Sequence, residues 1–212
     1  MSGSKINVAK QAIEYIKDKL HPEMILGIGT GSTVNFFIEE LKDLRNNFAG
    51  AVSSSEASSR LLSENGIEVF NLNDISEIAF YIDGADEVAP NKELIKGGGG
   101  AHTREKIVAS AAKEFICIVD DSKIVTKLGA FPLPVEVIPE SRSLVARRIV
   151  SMGGVPEYRA GFTTDQGNQI LDVKEIDISD PKELETLLNT IPGVVDNGIF
   201  AFNKPSVVLV SK

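Results

Sequence analysis

The sequence is poor in the residues that build disulfides and zinc centres. Its 212 residues include one cysteine, Cys117, and two histidines, His21 and His102. One cysteine cannot form an internal disulfide, and one thiol with two imidazoles cannot supply the ligands of a usual zinc site. We therefore expect neither a disulfide-stapled fold nor a metal centre, and any metal chemistry would need carboxylates.

Long apolar runs and positive charge are also scarce. No stretch approaches the roughly 18 apolar residues of a membrane-spanning helix, and the opening MSGSKINVAKQ lacks the apolar segment of a secretory signal. Lys and Arg number 22 against 30 Asp and Glu, a net charge of −8, whereas a protein that coats nucleic acid needs a basic face. We expect a cytoplasmic protein without membrane or nucleic-acid partners.

The first 130 residues alternate helical patterns with short apolar runs, and 42% of the whole chain is hydrophobic, enough for a substantial core. The spacing predicts helices at 4–20, 32–44, 57–65 and 103–113, and strands at 24–29, 51–53, 67–71, 78–83 and 115–120. Nearly continuous apolar strands between helices are typical of a parallel sheet covered on both faces. We predict an α/β, Rossmann-like domain.

The pattern changes after Gly129. Strands are predicted at 131–139, 155–160, 169–173 and 193–201, and helices at 141–152 and 181–189. The resulting β-α-β-β-α-β order predicts a smaller ferredoxin-like α+β domain. A last apolar run at 206–210 is expected to return to the first sheet. The predicted domains are therefore 1–130 with 203–212, and 131–202.

Three loops follow predicted strands of the first domain, at the edge where open parallel sheets bind ligands. The first, GIGTGST (27–33), precedes a helix, where free amides and hydroxyls suit a phosphate. Its spacing fails the dinucleotide-binding fingerprint, because Ser32 or Val34 would replace the third glycine. A glycine turn that serves only strand–helix packing is the alternative. The candidate phosphate-binding residues are Thr30, Gly31, Ser32 and Thr33.

The second and third loops carry acids and a lysine. In DGADEV (83–88), Asp83 and Asp86 could hold sugar hydroxyls, shuttle a proton or bind magnesium, or could be solvated turn acids. In KGGGGAHTREKIVA (96–109), four glycines indicate a backbone that needs positive φ or close approach. Lys96 precedes them, and Glu105 lies in the first turn of the next helix, as a general base or as a capping residue.

Six segments, in order along nearly the whole chain, resemble ribose-5-phosphate isomerase of the A type. They are GIGTGSTV (27–34), SSSEAS (53–58), YIDGADEV (81–88), KGGGGAHTREKIVA (96–109), FPLPVEVIP (131–139) and GGVPEYR (153–159). The resemblance implies reversible conversion of D-ribose 5-phosphate to D-ribulose 5-phosphate in the non-oxidative pentose phosphate pathway. It also implies a cis-enediolate intermediate, no cofactor and a homo-oligomer, with dimer and tetramer both open.

The resemblance also implies roles for individual residues. Glu105 matches the general base, and Asp83, Asp86 and Lys96 match other catalytic groups. The matching substrate-binding residues are Thr30, Gly31, Ser32, Thr33, Asp83, Gly84, Ala85, Asp86, Lys96, Gly97, Gly98, Gly99 and Lys123. His102 stands where the family commonly has leucine, and we expect a surface histidine at the helix start.

Two other classes of protein are weighed against this interpretation. A sugar-phosphate sensor of a transcription regulator would need a basic helix-turn-helix before the sheet, and only about 20 residues precede the first strand. A coenzyme A transferase or a sugar-phosphate deaminase could share the fold. The motifs at Asp83, Asp86, Lys96 and Glu105 favour the isomerase.

Overall fold

The computed structural model describes residues 2–212, which form two compact units. The first contains residues 2–85, Arg104–Lys123 and Pro205–Lys212, and the second contains Asp86–Thr103 and Ile124–Lys204. These boundaries differ from the predicted ones, because residues 86–103 and 124–130 lie with the second unit. Segment 86–103 carries two short strands that pair with each other, and the second of them also pairs with residues 199–200 of that unit. Within residues 2–212 no helix is long and apolar enough to cross a membrane.

Helices and strands alternate along the described chain. In chain order the α-helices are α1 Ser2–Ile16, α2 Ser32–Leu41, α3 Glu56–Glu64, α4 His102–Ala111, α5 Arg142–Ser151 and α6 Pro181–Asn189. The strands are β1 Ile25–Ile28, β2 Gly50–Ser53, β3 Ile78–Asp83, β4 Glu87–Val88, β5 Leu94–Ile95, β6 Ala112–Asp120, β7 Leu133–Val137, β8 Val155–Tyr158, β9 Gln169–Lys174, β10 Val194–Asn197, β11 Ile199–Phe200 and β12 Val207–Ser211.

The first unit is built on a five-stranded parallel sheet of order β2-β1-β3-β6-β12. The prediction that the last apolar run returns to this sheet is confirmed, since β12 pairs in parallel with β6. Cys117 is completely buried in β6. The strand order reverses between β1 and β3, and in open parallel sheets ligands bind beside such a switch point.

Helices cover both faces of this sheet, as predicted. Leu26 and Ile28 of β1 lie in the buried cluster formed with α1 and α2. Gly27 lies between them and faces the other side, because successive residues of a strand point to opposite faces. There a Cβ on Gly27 would lie 2.9 Å from Val108 of α4. The absence of a side chain at Gly27 therefore allows α4 to approach β1 closely.

The second unit contains the predicted ferredoxin-like arrangement. Strands β7, β8, β9 and β10 form an antiparallel sheet of order β10-β7-β9-β8, and α5 and α6 complete the β-α-β-β-α-β sequence. Its core contains side chains from β7, β9, α5 and α6. A separate three-stranded antiparallel sheet, β11-β5-β4, belongs to the same unit and was not predicted. Strands of two residues are too short to show a period in the sequence.

Two predicted strands need correction. Segment 67–71 makes one bridge, between Val69 and Ala51, because Ile67 turns into the core and the chain then enters a short 3-10 helix. Segment 193–201 is two strands, β10 and β11, in different sheets. They separate at Gly198, where a Cβ would overlap the carbonyl oxygen of Lys96.

The close contact at Gly27 gives a test of the packing of α4. In Gly27→Ala the added methyl would lie 2.9 Å from Val108, 3.0 Å from Tyr81 and 3.2 Å from Ile78. We expect the free energy of unfolding, measured by urea titration, to fall by about 1–3 kcal/mol. Gly3→Ala is the control: nothing lies within 4 Å of its Cβ, and alanine favours the helix. Equal stability of both variants would contradict this account.

Candidate active site

The loop between β1 and α2 is shaped for an anion. Gly31 has φ of +123° and occupies the N-cap of α2, where no side chain caps the helix. The first turn contains no acidic residue. The amides of Ser32 and Thr33 therefore face outward at the positive end of the helix dipole, an arrangement that binds phosphate.

Lys5 adds a positive charge to this loop. Its ammonium donates a 2.7 Å hydrogen bond to the hydroxyl of Ser32. Lys5 lies on α1, which packs beside α2. Lys5 was not predicted as a site residue, because a lysine on the first helix carries no sign of which helix lies next to it.

Asp83 holds the ends of β1 and β3 together. Its side chain is completely buried at the end of β3. Its Oδ1 accepts hydrogen bonds from the amides of Thr30, at 3.0 Å, and Gly84, at 2.7 Å, while the Tyr81 hydroxyl donates to Oδ2. A Cβ on Gly29 would overlap the carboxylate. Asp83 therefore fixes the backbone at the start of the anion-binding loop.

Tyr81 connects this carboxylate with Glu105. Burial raises the pKa of the Tyr81 hydroxyl well above its usual range, and the negative charges of Asp83 and Glu105 raise it further. A hydrogen bond with Ser54 acts in the opposite direction. The Ser54 hydroxyl lies 2.8 Å from that of Thr30. The Tyr81 phenol is thus linked to the anion-binding loop through Ser54, to Asp83 by a hydrogen bond and to Glu105 by charge. It stays protonated at neutral pH.

Glu105 is itself almost completely buried, with 4% exposure, in the first turn of α4. Its neighbour Arg104 turns the other way and donates a 2.8 Å hydrogen bond to Glu56, at the start of α3. A buried carboxylate in the first turn of a helix can act as a positioned base.

In the second unit, the glycine loop has a defined shape. Gly97 and Gly100 have φ of +99° and +78°, which other residues rarely adopt. The amide of Gly98 donates to Asp86 Oδ2 at 2.8 Å, and that of Gly100 donates to the carbonyl of Gly97 at 2.9 Å. Within residues 2–212, the amides of Gly97 and Gly99 donate to no acceptor of the protein. Of the three predicted glycine donors, these two can serve a ligand.

Lys96 precedes the loop and is buried, with 2% exposure. Its backbone amide donates to the carbonyl of Gly198 at 2.9 Å, and its ammonium lies 5.5 Å from the centre of the Phe200 ring. The backbone of Lys96 is therefore fixed by the small sheet that contains β5 and β11.

The expectation of a surface histidine at His102 is wrong. The side chain is completely buried, and its Nε2 lies 3.3 Å from the carbonyl oxygen of Asp196. A Cβ on Gly97 would lie 2.7 Å from its Nδ1. The imidazole packs under the glycine loop, in space that the missing side chain of Gly97 leaves.

The predicted site residues are distributed over both units. The first unit holds Thr30, Gly31, Ser32, Thr33, Asp83, Gly84, Ala85, Glu105 and Lys123, and the second holds Asp86, Lys96, Gly97, Gly98 and Gly99. In the first unit, the Thr30 amide donates a hydrogen bond to Asp83, and the charges of Asp83 and Glu105 both act on Tyr81. Lys123 ends a 3-10 helix after β6, the strand next to β3. In the second unit, Asp86 joins the glycine loop.

Comparison with known proteins shows the family of this chain. The family model "Ribose 5-phosphate isomerase A (phosphoriboisomerase A)" matches residues 50–212. The chain belongs to the ribose-5-phosphate isomerase A family. It is 56% identical over 211 residues to ribose-5-phosphate isomerase A of Legionella pneumophila (strain Corby), covering 100% of this chain and 96% of that protein.

Two solved structures of the family show the same fold. Ribose 5-phosphate isomerase A from Neisseria gonorrhoeae superposes with a TM-score of 0.93 at 48% identity, covering 99% of this chain and 94% of the other. A D-ribose-5-phosphate isomerase in complex with phospho-erythronic acid superposes with a TM-score of 0.90 at 38% identity, covering 98% and 93%. The predicted family and fold class are confirmed.

The contact between Lys5 and Ser32 predicts a role in anion binding. In Lys5→Met we expect the Kd for inorganic phosphate to rise about tenfold, because a charge-assisted hydrogen bond contributes about 1.5–3 kcal/mol before screening by solvent. The Kd is measured from the amide NMR signals of Ser32 and Thr33. Lys10→Met removes a lysine of the same helix whose ammonium lies 3.9 Å from Glu40, and it should leave the Kd unchanged. Equal Kd values for both variants would exclude Lys5 from the site.

Proposed function

We propose that this chain interconverts D-ribose 5-phosphate and D-ribulose 5-phosphate, without a cofactor, with Glu105 as the base. The observation that carries the mechanism is the buried Glu105 carboxylate, whose charge acts on Tyr81, the residue that donates to Asp83 beside the switch point of the parallel sheet. The names of its relatives support the substrate. So does the relative bound to phospho-erythronic acid, a compound with phosphate and carboxylate groups.

The reaction moves one proton between neighbouring carbons. In the open-chain aldose, Glu105 removes the proton from C2, and the electrons form the double bond of a cis-enediolate. Glu105 then returns a proton to C1, while the C2 oxygen becomes the ketone. One carboxylate on one face of the substrate serves as base and then as acid, a step that contributes about 10²–10⁴-fold to the rate.

Negative charge develops on the substrate oxygens during this transfer. We assign its stabilisation to the ammonium of Lys96 and to the amides of Gly97 and Gly99. Donors that are fixed before the reaction stabilise such charge without reorganising. The amide of Gly98 is excluded from this role by its hydrogen bond to Asp86.

The two aspartates receive different tasks. Asp83 already accepts hydrogen bonds from two amides and a phenol, and we propose that it chiefly holds the loop. Asp86 is half-buried and uses Oδ2 for Gly98. We propose that its other oxygen, Oδ1, contacts the sugar hydroxyls and moves protons between the substrate oxygens.

The phosphate end of the substrate is assigned to the loop 30–33, with Lys5 and Lys123. Binding far from the reacting carbons holds C1 and C2 in register with the base. We assign Gly84 and Ala85 to contacts with the part of the sugar between the phosphate and the reacting carbons C1 and C2. A cytoplasmic location and a homo-oligomeric state remain predictions.

The role of Glu105 is tested by Glu105→Gln. The amide keeps the shape of the side chain but cannot take the C2 proton, so we expect kcat to fall by about 10²–10⁴-fold with little change in KM. The measurement is the rate of ribulose 5-phosphate formation from ribose 5-phosphate. Glu64→Gln makes the same change on an exposed residue of α3 and should match the wild type. A normal kcat in folded Glu105→Gln would exclude Glu105 as the base.

Gly99 offers a test of close substrate approach. It is exposed, its φ is not positive, and nothing lies within 4 Å of an added Cβ. We therefore expect Gly99→Ala to match or exceed the wild type in stability, by up to about 1 kcal/mol, yet to lose kcat/KM at least about tenfold because the methyl meets the substrate. Unfolding and steady-state kinetics measure the two effects. Unchanged kcat/KM would show that the substrate keeps its distance from Gly99.

A further inference from the structure

Arg159, which follows β8, forms an ion pair with Asp172 of β9. Its Nε donates to Asp172 Oδ2 at 2.8 Å, and its Nη2 donates to Oδ1 at 2.5 Å. The two side chains are 18% and 22% exposed. Two parallel bonds fix the plane of the guanidinium, and only arginine offers this fork.

The other edge of the guanidinium binds the glycine loop. Nη1 donates to the carbonyl oxygens of Gly97, at 3.3 Å, and Gly98, at 3.2 Å, and Nη2 also reaches Gly97 O at 3.3 Å. The ring of Phe162 lies 5.4 Å from the guanidinium carbon. Two consecutive carbonyls of the loop are therefore tied to one cation of the second unit.

This attachment determines where the loop amides point. In a trans peptide the C=O and the following N–H point in opposite directions. Because Gly97 O faces Arg159, the amide of Gly98 faces away, and it does meet Asp86 on that side. By the same rule, Gly98 O on Arg159 turns the amide of Gly99 away from the guanidinium. Asp86 and the Gly99 amide therefore lie on the side of the loop opposite Arg159.

We propose that Arg159 is a positioning residue for catalysis, which holds the glycine loop from behind so that the Gly99 amide and Asp86 face the substrate. The catalytic consequence rests on the proposed function. That Arg159 holds the glycine loop follows from contacts within the second unit alone. Asp172 serves by fixing the orientation of the guanidinium.

Arg159→Ala and Arg159→Lys test the proposal. Lysine keeps the charge but lacks the planar fork that binds both oxygens of Asp172 on one edge and the two carbonyls on the other. For both variants we expect kcat to fall by about 10–100-fold, less than the about 10²–10³-fold cost of removing an oxyanion donor outright. We expect KM to change by less than about threefold, because the loop acts on the transition state more than on ground-state binding.

Chemical rescue separates positioning from a merely structural role. A groove of about 570 Å³, lined by Gly98, Phe131, Pro132 and Asp172 among others, contains Arg159 and gives small ions access to its place. We expect guanidinium, at millimolar concentrations far below the denaturing range, to restore part of kcat in Arg159→Ala, and sodium or urea to restore none. Arg142→Ala is the matched control: Arg142 lies over the Tyr158 ring in the same unit and donates to Gln169, and its kcat should stay normal.

Hydrogen exchange of the Gly98 amide reports the loop without relying on turnover. We expect faster exchange in Arg159→Ala than in the wild type or Arg142→Ala, because Gly98 loses its fixed orientation toward Asp86. Normal kcat in Arg159→Ala, or reduced kcat with normal Gly98 exchange and no rescue, would overturn the proposal. If the wild type did not isomerise ribose 5-phosphate, the proposed function would fail. Gly98 exchange would then still decide whether Arg159 holds the loop.

Discussion

The carboxylate of Asp83 is completely buried, and the loops around it take their positions from the hydrogen bonds that it accepts. A buried charge without donors would be costly, so the fold must bring donors to it. They come from the loop after β1, from the residue after β3 and from Tyr81 within β3. Those loops lie beside the switch point of the sheet, so satisfying one buried charge also shapes a ligand site.

The second unit satisfies a buried carboxylate in the same way. Glu136 of β7 is completely buried and accepts hydrogen bonds from Thr103, Thr164 and Asn168. Networks of this kind are stable only when every member is paired, and they then tolerate little rearrangement. The rigidity that the proposed proton transfer requires thus arises separately in each unit.

The net charge of −8 gives a doubly negative substrate no long-range attraction. Binding must therefore rest on local donors. The uncapped start of α2 supplies amides, and Lys5 supplies a charge beside them. In the proposed site, these amides together with Lys5 and Lys123 can bind a phosphate without making the whole surface basic.

Much of the fold could be predicted from sequence, because the strands at 78–83 and 115–120 and the helix at 181–189 have strong apolar patterns. The places of Asp83 at the end of β3 and of Glu105 in the first turn of α4 were also predicted, whereas their roles stay predictions. The contact of Lys5 with Ser32 and the burial of His102 could not be predicted, because each depends on a neighbour distant in sequence. The small sheet of β4, β5 and β11 was missed since two-residue strands have no period.

The glycine loop shows how steric need and function can be separated within one motif. A Cβ would lie 2.7 Å from His102 at Gly97 and 2.7 Å from Asp86 at Gly98, and it would overlap Phe162 at Gly100. Those three glycines are explained by packing or by positive φ. Gly99 has neither constraint, yet a glycine there adds to the entropy lost on folding. Among residues 2–212 nothing packs against that position, and this supports the proposal that the substrate approaches the loop at Gly99.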